Sequence, residues 1–417
     1  MSKQKLTIAI ISPEYPPLTN WGGIATFNEN LSLLLSDMGH EVHVISYDGI
    51  GNQLVTKNPK KNLFIHFIPF KTSFKLINFF YYRFPFGLIR NYFNHLFPQT
   101  LMILEWNFFA YLGFKKLNKQ FQFNIIHSVN YLSPSLLIKI IWPKIPLIIH
   151  IQSFQEISEK FYKSTFDLRV QKLLENIFLK RADYFVPCSK KISQSILEKF
   201  PEYSSKTTLI HNFIFPNMYG NKTEIDTNNI VFMGRFEYRK GIDIVIKSFI
   251  KLAKSNTLLN LYLIGNSDHK IFVANRYVNF MDWYSSFKIP KSVKARIYFF
   301  PQMDDKKSLI ELLRKIKGIA VVPSRHEPFG FVNIEFMALG YILITSEGEG
   351  ADEIIEHEHD GFFFKPNNLT HIVLRIKKLD LKDIGNISKY GKDKIINQFS
   401  NHSIMNNYVD LYNKLIN

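Results

Sequence analysis

Residues 321–340 read Val321-Val322-Pro323-Ser324-Arg325-His326-Glu327-Pro328-Phe329-Gly330-Phe331-Val332-Asn333-Ile334-Glu335-Phe336-Met337-Ala338-Leu339-Gly340. A β-branched run stops at Pro323, a polar loop carries Gly330, and an apolar helical pattern starts near Phe331. That order, strand then glycine-bearing loop then helix, is half of a βαβ unit. Outward from it the same alternation recurs. Strands are expected at 230–233, 261–264, 296–299, 319–322, 342–345 and 362–364. In the first half they are expected at 6–11, 41–46, 63–67, 124–127, 146–151, 184–187 and 208–210. Ile24, Phe27, Leu31, Leu34 and Met38 fall on one helical stripe that closes at Gly39.

The stretch 211–229 is polar, contains Pro216 and Gly220, and lacks periodicity, so it reads as a linker. A chain of 417 residues at roughly 150 per domain holds two or three domains. The expected architecture is α/β, with two tandem doubly wound parallel-sheet domains. Ligands of such sheets bind at the carboxyl ends of the strands.

Composition narrows the functional classes. A hydrophobic fraction of 46% with 21% charged residues excludes a disordered, collagenous or coiled-coil chain. The single cysteine, Cys188, cannot form an internal disulfide, which points to a reducing compartment, the cytoplasm. The apolar run at 6–11 is too short for a signal peptide, and no stretch reaches the ~18 apolar residues of a membrane span. The net charge of +17 favours an anionic partner. Between Asp48 and Glu105 there is no acid, while seven bases are interleaved with many Phe and Tyr. That segment, 49–104, either packs the first domain's core or lies on an anionic membrane surface, where rings settle at headgroup depth and bases add attraction.

Chemistry is expected just after the strands. Gly22 and Gly23 open the first helix, where free N–H groups and the helix dipole suit an anion; a plain chain-reversing turn is an equal alternative. Arg235 and Lys240 follow a strand and flank the next helix start, a fork and a point charge that suit a diphosphate. Alone they would read as a solvated charge cluster. Glu327 in the loop and Glu335 in the helix can accept from sugar hydroxyls, with the N–H groups of Gly330, Phe331 and Val332 facing phosphate. The alternative makes Glu335 a surface charge and Glu327 a dipole partner. His150, in Leu147-Ile148-Ile149-His150-Ile151, reads on its own as a core histidine.

The Glu327–Glu335 spacing resembles the E-x7-E motif of retaining GT-B glycosyltransferases of family 4. The other pieces follow in that family's order: Gly22-Gly23, His150, 182–189, Gly234-Arg235 with Lys240-Gly241, 261–265, Gly348 to Ile354 and Asp360-Gly361. Two places depart from it, His211-Asn212-Phe213 and Gly350-Ala351. The resemblance implies a GT-B fold with Rossmann-like domains facing a central cleft. An acceptor domain at 1–213 and a donor domain at 214–399 are implied, with 400–417 crossing back to the first. Arg235 and Lys240 would hold the donor diphosphate and Glu335 the ribose. Glu327 would face the transferred sugar and Gly330 to Val332 would surround sugar and phosphate. Gly23, beside Gly22, would close over the distal phosphate, and His150 would be the active-site histidine. The implied activity is retaining transfer of a sugar from a UDP- or GDP-linked donor to a glycan or lipid-linked acceptor. A sugar-nucleotide epimerase and a catalytically silent sugar- or lipid-binding relative are the alternatives.

Other motifs are weaker. Glu356-His357-Glu358-His359-Asp360 lacks metal-ligand spacing on a helix, and no D-x-D occurs, so neither a metal nor another cofactor is expected. No G-x-S-x-G elbow and no nucleic-acid module is present.

Overall fold

The computed structural model describes residues 5–18, 22–48, 54–69, 97–154, 165–216, 219, 224–268, 270–273, 276–303, 305–348, 350–365 and 368–416. Two compact units result: Met1–His211 with Met405–Asn417, and Asn212–Ile404.

In the first unit the strands are β1 (Thr7–Ile11), β2 (Glu41–Asp48), β3 (Val55–Lys60), β4 (Leu63–Pro69), β5 (Ile125–Val129), β6 (Leu147–Ile151) and β7 (Tyr184–Pro187). They lie in the order β3-β4-β2-β1-β5-β6-β7. All neighbours are parallel except β3, which is antiparallel to β4. The helices are α1 (Gly23–Asp37), α2 (Pro98–Phe121), α3 (Leu136–Ile141), α4 (Phe166–Leu179) and α5 (Lys190–Lys199). β5, β6 and β7 are buried along their whole length, as strands covered on both faces must be.

Two readings of this unit change. β3 was not expected; its sequence VTKNPK is exposed throughout, and Pro59 suits an edge strand that needs no reciprocal ladder. No strand forms at 208–210. There Thr208 and Ile210 each donate one N–H to β7, to the carbonyls of Phe185 and Pro187 at 3.1 and 3.3 Å. Pro187 has no N–H to return, so the ladder does not extend.

The second unit contains β8 (Asn229–Met233), β9 (Asn260–Ile264), a β10–β11 hairpin (Lys270–Val273, Arg276–Asn279), β12 (Ile297–Phe300), β13 (Ile319–Val322), β14 (Ile342–Ser346) and β15 (Phe362–Phe364). Its parallel sheet runs β12-β9-β8-β13-β14-β15. The antiparallel hairpin β10–β11 stands apart and was not expected. Helices α6 (Ile242–Ala253), α7 (Lys306–Ile316), α8 (Phe331–Ala338) and α9 (Leu381–Gln398) follow in order, and α10 (Asn401–Ile416) ends the chain. Phe232, Val245, Ile246, Phe249, Leu261 and Ile319 anchor the core between sheet and helices.

Part of the expected linker is packed rather than loose: Asn212, Phe213 and Ile214 are buried. Ile214 bridges Ser400, and Tyr219 is buried. Ile404, Tyr408, Leu411 and Tyr412 of α10 are buried, Leu415 is half-buried, and residues 405–417 belong to the first unit.

Candidate active site

The second unit reverses strand order between β8 and β13. At such a switch point two loops diverge and leave a crevice above the carboxyl ends of the strands. The loop after β8 carries Arg235 and Lys240, and that after β13 carries Glu327. Lys240 does not start the helix. It ends a 3-10 turn over Tyr238–Lys240, and Gly241, in the left-handed region at φ 72°, caps α6. A Cβ on Gly241 would lie 2.0 Å from the carbonyl oxygen of Pro323, so only glycine lets the two loops meet.

Backbone and side-chain bonds stitch these loops together. The N–H of Arg325 donates to the Arg239 carbonyl at 2.7 Å, and the Arg239 guanidinium donates to the His326 carbonyl at 3.1 Å. Arg325 forms a fork on Asp243 at 2.7 and 2.8 Å. Within this frame Lys240 Nζ donates to Oε2 of Glu327, which also accepts from the Ser324 hydroxyl at 3.2 Å. Burial lowers the Lys240 pKa against the pull of Glu327. Burial likewise raises that of Glu327, but Lys240, Arg239 and His326 outweigh it and hold the carboxyl below its usual range. Arg235 reaches Glu237 at 3.3 Å and keeps 42% of its side chain exposed.

Gly330 caps α8 at φ 100°, and its Cβ would lie 2.7 Å from the Asn333 amide nitrogen. Phe331 and Val332 are the first helical residues, so their N–H groups have no partner within the helix. Glu335 sits in a second polar cluster. It accepts from the Tyr219 hydroxyl at 3.1 Å, and Lys306 Nζ approaches to 4.0 Å. Burial raises the Glu335 pKa, opposed by Lys306 and by the Tyr219 bond. Lys306 Nζ is buried and makes no hydrogen bond among the described residues.

Three expected residues lie in the first unit. Gly22 is the N-cap and Gly23 the first residue of α1. A Cβ on Gly22 meets nothing within 4 Å among the described residues, so their packing does not require a glycine there. His150, next to last in β6, is 2% exposed, lies with its ring centroid 4.7 Å from the tilted Phe27 ring of α1 and bonds His127 at 3.0 Å. Burial, and then His127, push its pKa well below the usual histidine value.

The structure thus gathers Arg235, Lys240, Glu327, Gly330 and Glu335 around one end of the second sheet, and Gly22, Gly23 and His150 in the first unit. Tyr219, Arg239, Lys306 and His127 were missed as contributors. The Arg239-Lys240 pair was a visible signal; Tyr219 stood in a stretch read as linker. Residues 356–360 form a turn in which Asp360 accepts from Glu356 N–H at 2.7 Å and from Lys394 at 3.0 Å.

Residues 21–217 match the family described as Glycosyltransferase Family 4, and residues 220–392 match Glycosyl transferases group 1. The chain belongs to glycosyltransferase family 4. The glycosyltransferase is 22% identical over 381 residues to the glycogen synthase of Mycobacterium tuberculosis, covering 90% of this chain and 86% of that one. It is also 22% identical to the capsular polysaccharide biosynthesis glycosyltransferase CapM of Staphylococcus aureus, over 58% of this chain and 65% of CapM. Among solved structures, sucrose-phosphate synthase from Thermosynechococcus elongatus aligns with a TM-score of 0.75 at 19% identity, covering 99% of each chain. The Anabaena protein HepE in complex with UDP-glucose aligns at 0.63 and 16%, covering 98% of this chain and 99% of HepE. The fold is the GT-B fold, with two Rossmann-like parallel-sheet domains.

Proposed function

We propose that the glycosyltransferase moves a sugar from a nucleoside diphosphate, UDP or GDP, to an acceptor hydroxyl with retention and without a metal ion. The observation that carries this reading is the contact of Lys240 with Glu327 beside the open helix end at Gly330. It sets a cation, an anion and free N–H groups at one switch point. The departing diphosphate gains negative charge as the sugar becomes oxocarbenium-like, so Lys240, Arg235 and the α8 N–H groups stabilise the transition state more than the ground state. Glu335 accepts from the ribose hydroxyls and Glu327 faces the sugar. Gly22 and Gly23 add N–H groups for phosphate, and His150 contacts the sugar.

In the front-face form of the reaction the acceptor oxygen attacks C1 as the C1–O bond to phosphate breaks. The acceptor proton passes to the leaving phosphate oxygen. The test is release of UDP or GDP from a panel of their sugars, with and without a chelator, and the anomeric configuration of the first product by NMR. Turnover only with added metal, or an inverted product, would overturn the respective part.

The acceptor is proposed to be a glycan or lipid-linked glycan of cell-surface polysaccharide synthesis, met at the cytoplasmic face of a membrane. Of the acid-free segment 49–104, residues 49–53 and 70–96 lie outside the described residues. Support comes from the adjoining helices. Asp167 of α4 accepts from the N–H groups of Gln99 and Thr100, joining the starts of α2 and α4. Outward from that junction α2 exposes Leu104, Phe108 and Leu112, and α4 exposes Phe166 (64%), Leu173 (58%) and Ile177. Exposed Lys115, Lys119 and Arg169 stand on the same helices. Apolar rows beside bases suit an anionic lipid surface. Among the described residues no helix is long and apolar enough to cross a membrane.

A further inference from the structure

β5 and β6 pair so that His127 lies opposite Ile148 and Val129 opposite His150. Residues two apart on a strand share a face, so both imidazoles stand on the same side of the sheet. Nδ1 of His127 lies 3.0 Å from Nε2 of His150. On the far side of His127, its Nε2 lies 2.8 Å from the phenol oxygen of Tyr412 on α10. All three side chains are buried. The neighbours are the Phe27 and Tyr408 rings at 4.7 and 6.0 Å from His150, and the His40 ring edge-on to Tyr412 at 5.3 Å. His40 Nδ1 in turn accepts from the N–H of Leu6.

The direction of this chain follows from counting protons. A neutral imidazole has one donor and one acceptor nitrogen. Burial, then His40, pushes His127 down to about 3, and burial and His127 act alike on His150, so both rings are neutral near pH 7. Burial raises the Tyr412 phenol, which therefore keeps its proton. Among the described residues His127 is the only hydrogen-bond partner of Tyr412. Were Tyr412 to accept, its own O–H would be buried and unpaired, at a cost of about 1–3 kcal/mol. Tyr412 therefore donates to Nε2 of His127. His127 then carries its proton on Nδ1 and donates to Nε2 of His150, whose proton is left on Nδ1.

We propose that Tyr412 and His127 are positioning residues: through this directed chain the C-terminal helix fixes the tautomer of His150, so that its Nδ1–H is presented as a donor to an oxygen of the transferred sugar. The inference rests on the role given above to His150. It also gives the terminal helix a part in the reaction beyond packing, because a histidine's free nitrogen is set by the bond its other nitrogen makes.

The experiment is ring 15N–1H correlation on the full-length protein labelled with 15N-histidine, at pH 7, with His127→Gln and His150→Gln for assignment. The expected spectrum shows Nδ1–H on both rings. In Tyr412→Phe, which keeps the packing ring, both are expected to redistribute between tautomers, and kcat to fall about tenfold with the donor KM within about twofold. Nε2–H on His150 in the parent, or unaltered tautomers in Tyr412→Phe, would overturn the chain. Parent-like turnover of His150→Gln with the expected tautomers would instead overturn the role of His150, and the positioning claim with it. The parent spectrum alone decides the direction if Tyr412→Phe fails to fold.

Discussion

Lys240 and Glu327 come from loops after different strands, β8 and β13, yet Lys240 Nζ donates directly to the Glu327 carboxylate. The cation proposed for the diphosphate is therefore already engaged by the acid proposed for the sugar. If Lys240 takes the diphosphate as proposed, donor binding exchanges one anion for another on it, which would limit how strongly the site holds the diphosphate it must release.

Glu327→Gln tests this exchange. With its carboxylate neutralised, Lys240 is free for phosphate, and UDP or GDP is expected to bind up to about tenfold tighter while transfer falls about ten- to a hundredfold. Calorimetric titration of the diphosphate beside a turnover assay checks both. Weaker diphosphate binding in this variant would mean that Glu327 holds Lys240 in place rather than competing for it.

Lys306 offers a pH signature. Burial raises the Glu335 pKa and Lys306 opposes it, so Lys306→Met moves that pKa further up. In the role proposed for Glu335, the ionised carboxylate is the form that would accept from both ribose hydroxyls. Affinity for the nucleoside diphosphate is therefore lost as pH falls through the Glu335 pKa, and in Lys306→Met that loss is expected at higher pH. Lys306→Arg is expected to restore the parent profile. Titrations of both proteins across the acid limb of the affinity profile read the midpoint, and superimposable profiles would remove Lys306 from the site.

Buried histidines make the first unit acid-sensitive. His66 and His127 are both pushed down to about 3, chiefly by burial, and His43 and His150 are lowered in the same direction. Unfolded histidine titrates near 6.5, so between that pH and the folded values the unfolded chain binds more protons. Stability is then expected to be fully present above about pH 6.5 and to fall below it, by about 1.4 kcal/mol per pH unit for each histidine that stays neutral when folded. Urea unfolding at pH 7, 6 and 5 checks the slope. A flat response across that range would show that these rings protonate without unfolding.

Vesicle flotation tests the membrane reading. The protein is expected to float with anionic vesicles at low salt, less at high salt, and not with neutral ones, since each base near the surface adds about 1 kcal/mol. Leu104→Glu with Phe166→Glu is expected to abolish flotation and leave turnover on a soluble acceptor intact. Sedimentation of the parent away from anionic vesicles at low salt would leave a soluble acceptor.

Much of this was legible because periodicity reports burial. Strands such as Ile319–Val322 are apolar along their whole length and are covered on both faces. Glu327, Gly330 and Glu335 could be placed because strand, loop and helix are local in sequence. β3 was hidden because an exposed edge strand needs no alternation, and Thr208 to Ile210 misled because Pro187 has no N–H to offer. The partners of the site residues could not be read. Tyr219 lies 116 residues from Glu335 and Tyr412 lies 285 from His127, and nothing local marks either pairing.

The central claim is that the second unit holds a nucleoside diphosphate through Lys240. Thermal unfolding of the parent and of Lys240→Ala with UDP, GDP and ADP tests it most directly. One diphosphate is expected to raise the parent's midpoint, since a ligand at about 100 Kd adds about 2.7 kcal/mol. The same concentration is expected to shift Lys240→Ala far less, after a loss of about 1.5–3 kcal/mol in binding. No shift of the parent with any of the three, or an equal shift in both proteins, would contradict the account.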